Sequence, residues 1–215
     1  MAPDFLRERR EMVDNQLRKR GIQDPRVLAA MLEIPREEFV PLPFQFSAYG
    51  DDPIPIGHGQ TISQPYMTAL MAEVLELMGD ETVLEVGTGS GYAAAVLGVL
   101  AARVISVERI PELARLARYH LSRTGRDENV LVISGDGSLG YAPLTPYDAI
   151  SVAAGAPDVP PALLEQLSDP GCLVIPVGEC SDQELRVMWK RAGQIESRVA
   201  TLCRFVPLRG DEGWR

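Results

Sequence analysis

Two periods of apolar residues run along this chain, and the places where one gives way to the other mark its elements. Leu6, Val13 and Leu17, set among charged residues, fit one stripe of a helix over residues 4–20 that Gly21 ends. A second helix is expected over residues 25–34, with Asp24 as N-cap and Pro25 in its first position. Helical spacing returns over 65–78, 91–100, 111–121 and 160–167. Between these lie short apolar runs at 82–86, 103–107, 130–134, 147–152 and 172–177 that read as strands. Strands alternating with helices specify a mostly parallel sheet covered on both faces, so the fold class is doubly wound α/β, Rossmann-like. Residues 184–189 and 195–206 are strand-like and flank a turn-like 190–194, which predicts an antiparallel hairpin at the sheet edge.

The segment from residue 35 to 65 has no sustained period and is punctuated by Pro41, Pro43, Pro53, Pro55, Gly50, Gly57 and Gly59. A loop of this length in a compact domain is usually functional or disordered. The aromatics Phe39, Phe44, Phe46 and Tyr49 favour the first, since such side chains are expected to be buried against something.

Composition narrows the classes. With 215 residues, 46% of them hydrophobic, the chain reads as one domain over 1–215. Within it, residues 1–64 supply helices and a substrate loop, 65–178 the cofactor-binding core, and 179–215 a hairpin and tail. No run approaches the roughly 18 to 20 consecutive apolar residues of a membrane helix. The first twenty residues are charged almost from the start and lack a signal-like apolar core, so a cytoplasmic monomer is expected. The three cysteines Cys172, Cys180 and Cys203 form no CxxC pair and read as reduced, buried thiols. The two histidines, His58 and His120, are far apart, and no metal is expected. A net charge of −9 is the wrong sign for neutralising phosphates, so nucleic acid is not an expected partner.

The sharpest local pattern is Val83-Leu84-Glu85-Val86-Gly87-Thr88-Gly89-Ser90-Gly91-Tyr92, an apolar strand running into a glycine turn that opens a helix. Glycines there permit close approach of a ligand to backbone amides at the positive end of the helix, although a purely structural turn stays open. A dinucleotide fingerprint needs a small residue where Tyr92 stands. The next strand ends in Glu108, about 20 residues beyond the turn, where a carboxylate can accept from both ribose hydroxyls. The third ends in Gly135-Asp136-Gly137, with a carboxylate suited to the adenine amino edge or simply to the turn itself. All three turns fall at the carboxyl ends of parallel strands, where open sheets bind ligands.

The G-x-G-x-G spacing resembles motif I of the class I S-adenosylmethionine methyltransferases. The segment Pro55-Ile56-Gly57-His58-Gly59-Gln60-Thr61-Ile62-Ser63-Gln64-Pro65-Tyr66-Met67, with the ending Arg204-Phe205-Val206-Pro207-Leu208, resembles the protein-L-isoaspartate O-methyltransferases specifically. That resemblance extends over nearly the whole chain. Gly155, standing in what is commonly an alanine run, and Asp169-Pro170-Gly171 depart from it. It implies transfer of a methyl group from S-adenosyl-L-methionine to the α-carboxylate of isoaspartyl residues in damaged proteins and peptides, giving an ester that cyclises to a succinimide and leaving S-adenosyl-L-homocysteine. It implies Ser63 as the catalytic residue and Ile62, Ser63 and Val206 as substrate contacts. It implies cofactor contacts from Gln60, Thr61, Ile62 and Ser63, from Glu85, Gly87, Thr88, Gly89, Ser90 and Gly91, from Glu108 and Arg109, and from Gly135, Asp136 and Gly137. An acceptor carboxylate with a pKa of about 4 is already ionised at neutral pH, so no general base is required. Pro65 should start a helix with Ser63 or Gln64 at its N-cap, where hydroxyl and free amides could meet the carboxylate, unless Ser63 is only a cap. Two other classes stay open: a methyltransferase with a different acceptor, and a non-catalytic nucleotide-binding module.

Overall fold

A computed structural model describes residues 4–179 and 181–215, so Cys180 lies outside the described residues. The N-terminal stripe begins as α1 (Phe5–Met12), capped by the Asp4 carboxylate on the Arg7 amide at 3.2 Å. It widens into a π turn and tightens into a 3-10 turn before Gly21 stops it at a φ of 97°. Helix α2 (Pro25–Glu33) opens as expected, with the Asp24 side chain accepting from the Arg26 amide.

Residues 35–65 are ordered rather than structureless: two 3-10 turns lead into a small hairpin of β1 (Ile54–Gly57) and β2 (Gln60–Ile62). Of the four aromatics expected to be buried, only Phe39 and Tyr49 are; Phe44 and Phe46 are exposed. They stand on a two-turn 3-10 segment, Leu42–Ser47, whose inward positions cannot serve every side chain in a run of alternating Phe and polar residues.

The central sheet contains β3 (Thr82–Val86), β4 (Arg103–Glu108), β5 (Val130–Ser134), β6 (Tyr147–Val152), β7 (Leu167–Gly178), β8 (Gln183–Arg191) and β9 (Gln194–Cys203), in spatial order β5-β4-β3-β6-β7-β8-β9. The strands from β5 to β7 are parallel, and β8 and β9 add antiparallel to the edge. Period-2 alternation sends Val83 and Val104 to one core and Leu84, Val86, Ile105 and Val107 to the other. The first core is roofed by α1, α2, α3 (Pro65–Val74), α4 (Tyr92–Leu100) and α5 (Pro111–Arg123). The second carries one short helix, α6 (Pro161–Gln166), besides 3-10 turns and the C-terminal tail.

The hairpin turn is shorter than the pattern indicated. Only Ala192 and Gly193 are unpaired, both at positive φ, and their amides donate to the Asp169 carboxylate at 2.9 and 2.5 Å. Strand β9 ends at Cys203, three residues early, because the chain leaves the edge there to cross the sheet end. Cys172 is buried, with its thiol pushed up to about 12 by burial, whereas Cys203 is only half-buried.

A carboxyl group is buried on the side of the first core. Glu85 is fully buried, accepts from the Ser106 hydroxyl, which also meets Thr88, and leaves Oε1 without a partner. Burial pushes its carboxyl up from 4.5 to about 8, opposed by Ser106 and assisted by the charge of Glu108. Stability linked to protonated Glu85 is therefore complete below pH 4.5, the unfolded value, and is lost progressively as pH rises through about 8. The expected outcome is that Glu85→Gln overtakes wild type on the alkaline side. Melting curves between about pH 6 and about pH 9 should show wild type losing about 5 °C relative to the variant; parallel curves would refute it.

Candidate functional site

Three strand ends converge on one narrow cleft. The end of β3 gives Val86, Gly87 and Gly89; β4 gives Val107, Glu108, Arg109 and Ile110; and Ala153 and Ala154 follow β6. Gly137, Gln60 and the tail residues Val206, Pro207, Leu208 and Arg209 complete the walls. This is the switch point of the sheet, since the chain runs from β3 outward through β4 and β5 before returning to β6 on the other side. A larger hollow of about 480 Å³ lies by Asp80, Glu81 and Asp148, at the amino ends of the strands. There Glu81 caps the amides of Met78 and Gly79, and Asp148 that of Thr82, so these carboxylates are already engaged.

The glycine turn was expected to offer free amides to its ligand; those of its three glycines are engaged within the protein. The Gly87 amide donates to the Val107 carbonyl at 2.9 Å, Gly91 to the Thr88 carbonyl at 2.8 Å, and Gly89 to the Glu108 carboxylate at 2.9 Å. Glu108 also accepts from the Ile110 amide at 2.8 Å and is 6% exposed. Each carboxylate oxygen keeps lone-pair capacity, so the group facing the cleft is an acceptor of hydroxyl protons. A pyrophosphate would meet a fixed anion and three spent amides, whereas a ribose diol meets its complement.

Glycine is required where the turn packs. Gly91 adopts a φ of 93°, and a Cβ there would come within 3.2 Å of Ala117 on α5. Close helix packing thus falls on Gly91, which leaves Tyr92 free to be large. Its ring turns away from the strand into the N-terminal cover, edge-on to Phe39 at 5.6 Å.

Ser63 precedes α3 by two residues and is half-buried. The N-cap is Gln64, and neither it nor Ser63 makes a side-chain capping bond, so the cap-only reading of Ser63 is not what the structure has. The Ser63 hydroxyl makes no hydrogen bond among the described residues, while the Ser63 carbonyl accepts from Arg36 at 2.8 Å. The helix end supplies fewer donors than expected, because Pro65 has no N–H and the Tyr66 amide donates to Asp51 at 3.3 Å. Hairpin β1–β2 leans over the glycine turn, with Ile56 only 3.2 Å from where a Gly89 Cβ would stand.

A family model described as Protein-L-isoaspartate(D-aspartate) O-methyltransferase matches residues 7–213. Proteins named protein-L-isoaspartate O-methyltransferase from Koribacter versatilis and Methanoculleus marisnigri are 53% and 52% identical, over 99% and 100% of this chain and 97% of each relative. The chain belongs to this methyltransferase family. A solved structure of the corresponding Plasmodium falciparum protein, in complex with S-adenosyl-L-homocysteine, has a TM-score of 0.82 at 27% identity, over 94% of this chain and 98% of that one.

The methyltransferase brings Gln60, Gly87, Gly89, Glu108, Arg109, Gly137 and Val206 to the cleft wall. Thr61 and Ile62 stand on β2, and Gly135 on the turn after β5. The side chains of four expected contacts turn elsewhere. Glu85 points into the core, because strand alternation puts it on the face opposite Leu84 and Val86. The side chains of Thr88 and Ser90 are buried as well. Asp136 is committed to the protein: its oxygens accept from the Ser138 amide and hydroxyl at 2.9 and 2.7 Å and from the Asp211 amide at 2.8 Å. Burial raises its pKa, but the bonds from Asp211 and Ser138 outweigh that and hold it below the usual carboxylate value.

Sequence reasoning missed the clasp that presents Val206. The Gly155 amide donates to the Val206 carbonyl at 2.8 Å, and the Gly155 carbonyl accepts from Leu208 at 2.8 Å and from the Trp214 indole at 3.0 Å. Buried Gln183 grips Phe205 from both sides, donating to its carbonyl at 3.3 Å and accepting from its amide at 2.8 Å. The departure at Gly155 now has a reason: a Cβ would lie 2.3 Å from the Gln183 amide nitrogen. Only the pairing of that glycine with a glutamine 28 residues later could have signalled it. Gly155→Ala should cost about 1 to 3 kcal/mol by overpacking. Gly155→Ala with Gln183→Ala should show strong non-additivity in denaturant melts, and simple additivity would refute the clasp.

Proposed function

We propose that the cleft at the strand ends holds S-adenosylmethionine and that the Ser63 loop presents the α-carboxylate of an isoaspartyl residue to it. The chain is an S-adenosylmethionine-dependent protein-L-isoaspartate O-methyltransferase. The observation that carries the residue-level reading is the state of the glycine turn: its three glycine amides are satisfied, and Glu108 offers a carboxylate instead. Apolar Val107, Ile110, Ala154 and Leu208 provide walls for a nucleoside base. The slot encloses about 90 Å³ and is rimmed by the exposed side chains of Arg109 and Arg209.

When bound, the sulfonium supplies an electrophilic methyl group. Glu108 would hold the ribose by accepting from its hydroxyls. Ser63, with an unengaged hydroxyl, donates a hydrogen bond to one oxygen of the acceptor carboxylate. The free oxygen of that carboxylate is the nucleophile, and nothing needs deprotonating. The two histidines support this economy. His120 bonds through Nδ1 to the Ser90 carbonyl at 2.9 Å, and His58 stands exposed on the hairpin loop. Positioning and exclusion of water are thus the work left to the chain, effects worth roughly 7 to 11 kcal/mol together. Ile62 and Val206 are read as flanking backbone contacts for an extended peptide. No helix among the described residues is long and apolar enough to cross a membrane. We read the chain as a monomer of the cytoplasm without a nucleic-acid partner, in keeping with its charge of −9.

Purified protein is expected to transfer labelled methyl to a peptide containing isoaspartate and hardly at all to its aspartate twin. Equal labelling of both would defeat the acceptor assignment. Ser63→Ala should lower kcat by about 10- to 100-fold with cofactor affinity nearly unchanged, the worth of one hydrogen bond to a charged group. Glu108→Ala should weaken cofactor binding by about tenfold or more and spare kcat at saturation. Calorimetry beside kinetics separates the two patterns, and a swapped pattern would overturn both roles.

A further inference from the structure

Arg36 is the largest fully buried side chain among the described residues and forms no ion pair there. Its Nε donates to the Ala48 carbonyl at 2.7 Å and one Nη to the Ser63 carbonyl at 2.8 Å. The other Nη is buried without a partner, and the guanidinium lies 4.8 Å from the centre of the Tyr92 ring. Two carboxylates lie close in the fold, and both are spent. Glu37 is bound by Arg9 at 3.0 Å and by the Tyr49 hydroxyl. Asp51 is bound by Arg20 and by the Tyr66 amide. Three guanidiniums therefore face two carboxylates, and Arg36 makes no ion pair among the described residues. Burial lowers its pKa, while Tyr92, Tyr49 and, more weakly, Asp51 act in the opposite direction; an arginine side chain nonetheless stays protonated in proteins. Such a charge is costly to bury and cannot shed its proton as Glu85 does.

We propose that Arg36 is a positioning residue for the methyl acceptor: a buried cation without a counter-ion that draws the isoaspartyl carboxylate onto the Ser63 loop while fixing the Ser63 backbone. This rests on the acceptor reading of that loop. The start of α3 cannot do the same work, because its first-turn donors are absent or engaged. A point charge held behind the loop acts through low-dielectric protein, where it is weakly screened. An acceptor with an amide in place of the carboxylate gains nothing from it.

The test binds two peptides to the full chain saturated with S-adenosylhomocysteine. They differ in one group: isoaspartate with its α-carboxylate, or with an α-carboxamide. Calorimetry is run on wild type, Arg36→Met, which keeps much of the volume, and Arg36→Lys, which keeps the charge but not the two-pronged grip. Wild type should prefer the carboxylate, Arg36→Met should lose about tenfold or more of that preference, and Arg36→Lys should retain most of it. An undiminished preference in Arg36→Met, or a loss in Arg36→Lys as large as in Arg36→Met, overturns the proposal. A wild type without preference overturns the acceptor reading, and this proposal with it. If Arg36→Met does not fold, side-chain nitrogen NMR of wild type decides. The guanidinium signal missing from Arg36→Lys must shift with the carboxylate peptide and not with its twin, and an unmoved signal overturns the assignment.

Discussion

The bond from the Gly89 amide to the Glu108 carboxylate is the constraint on which the rest of the site depends. It ties the turn after β3 to the end of β4, and the second oxygen ties in the start of α5 through Ile110. Three elements thereby become one rigid corner at the switch point of the sheet. The same bond decides the chemistry of the corner, because an amide that might have met a phosphate meets a fixed carboxylate instead. A glycine-rich turn is shared by many nucleotide folds. What separates them is where its amides point, and here they point inward.

Around this corner the protein handles two buried ionisable groups in opposite ways. Glu85 lies in the core roofed by α4, and burial drives it toward the neutral acid, so its cost is shed by keeping a proton. Arg36 has no such escape. Its charge is spread over two carbonyls and a tyrosine face, which soften the cost without cancelling it. The first group ties β3 to β4 and to the glycine turn through Ser106 and Thr88; the second ties the Ser63 loop to the N-terminal turns. Polar burial of either kind specifies geometry rather than adding stability.

The parallel sheet and its helices were legible because each strand is a short apolar run between turn residues, and three strand bounds match residue for residue. The 35–65 segment was less so. Its hairpin strands are four and three residues long, too short to show a period, and Phe44 and Phe46 look in sequence like the buried Phe39. At the site, Glu108, Gly87 and Gly89 could be placed from strand ends alone. The bonds that engage Asp136 and the burial of Glu85 could not be read that way. A carboxylate at a turn looks the same whether it faces a ligand or Ser138, and a motif residue carries no mark of the sheet face it will take. Arg36 was invisible for a related reason: an arginine beside two glutamates reads as solvated surface until the fold shows which carboxylates have gone to Arg9 and Arg20.

Charge is thus divided across the molecule in a way that suits its two ligands. On the proposed reading, the donor brings a positive sulfonium to the cleft of buried Glu108, and the acceptor brings a negative carboxylate to a loop backed by Arg36. If both charges lay on one side, one ligand would be repelled or the two would pair prematurely in solvent. Anchored on separate elements, β4 and the 3-10 turn of Arg36, they let each ligand find its own half before the reacting atoms meet. No proton has to move in such a reaction, which is why a chain with one histidine packed on Phe39 and the other exposed on a loop can carry it out.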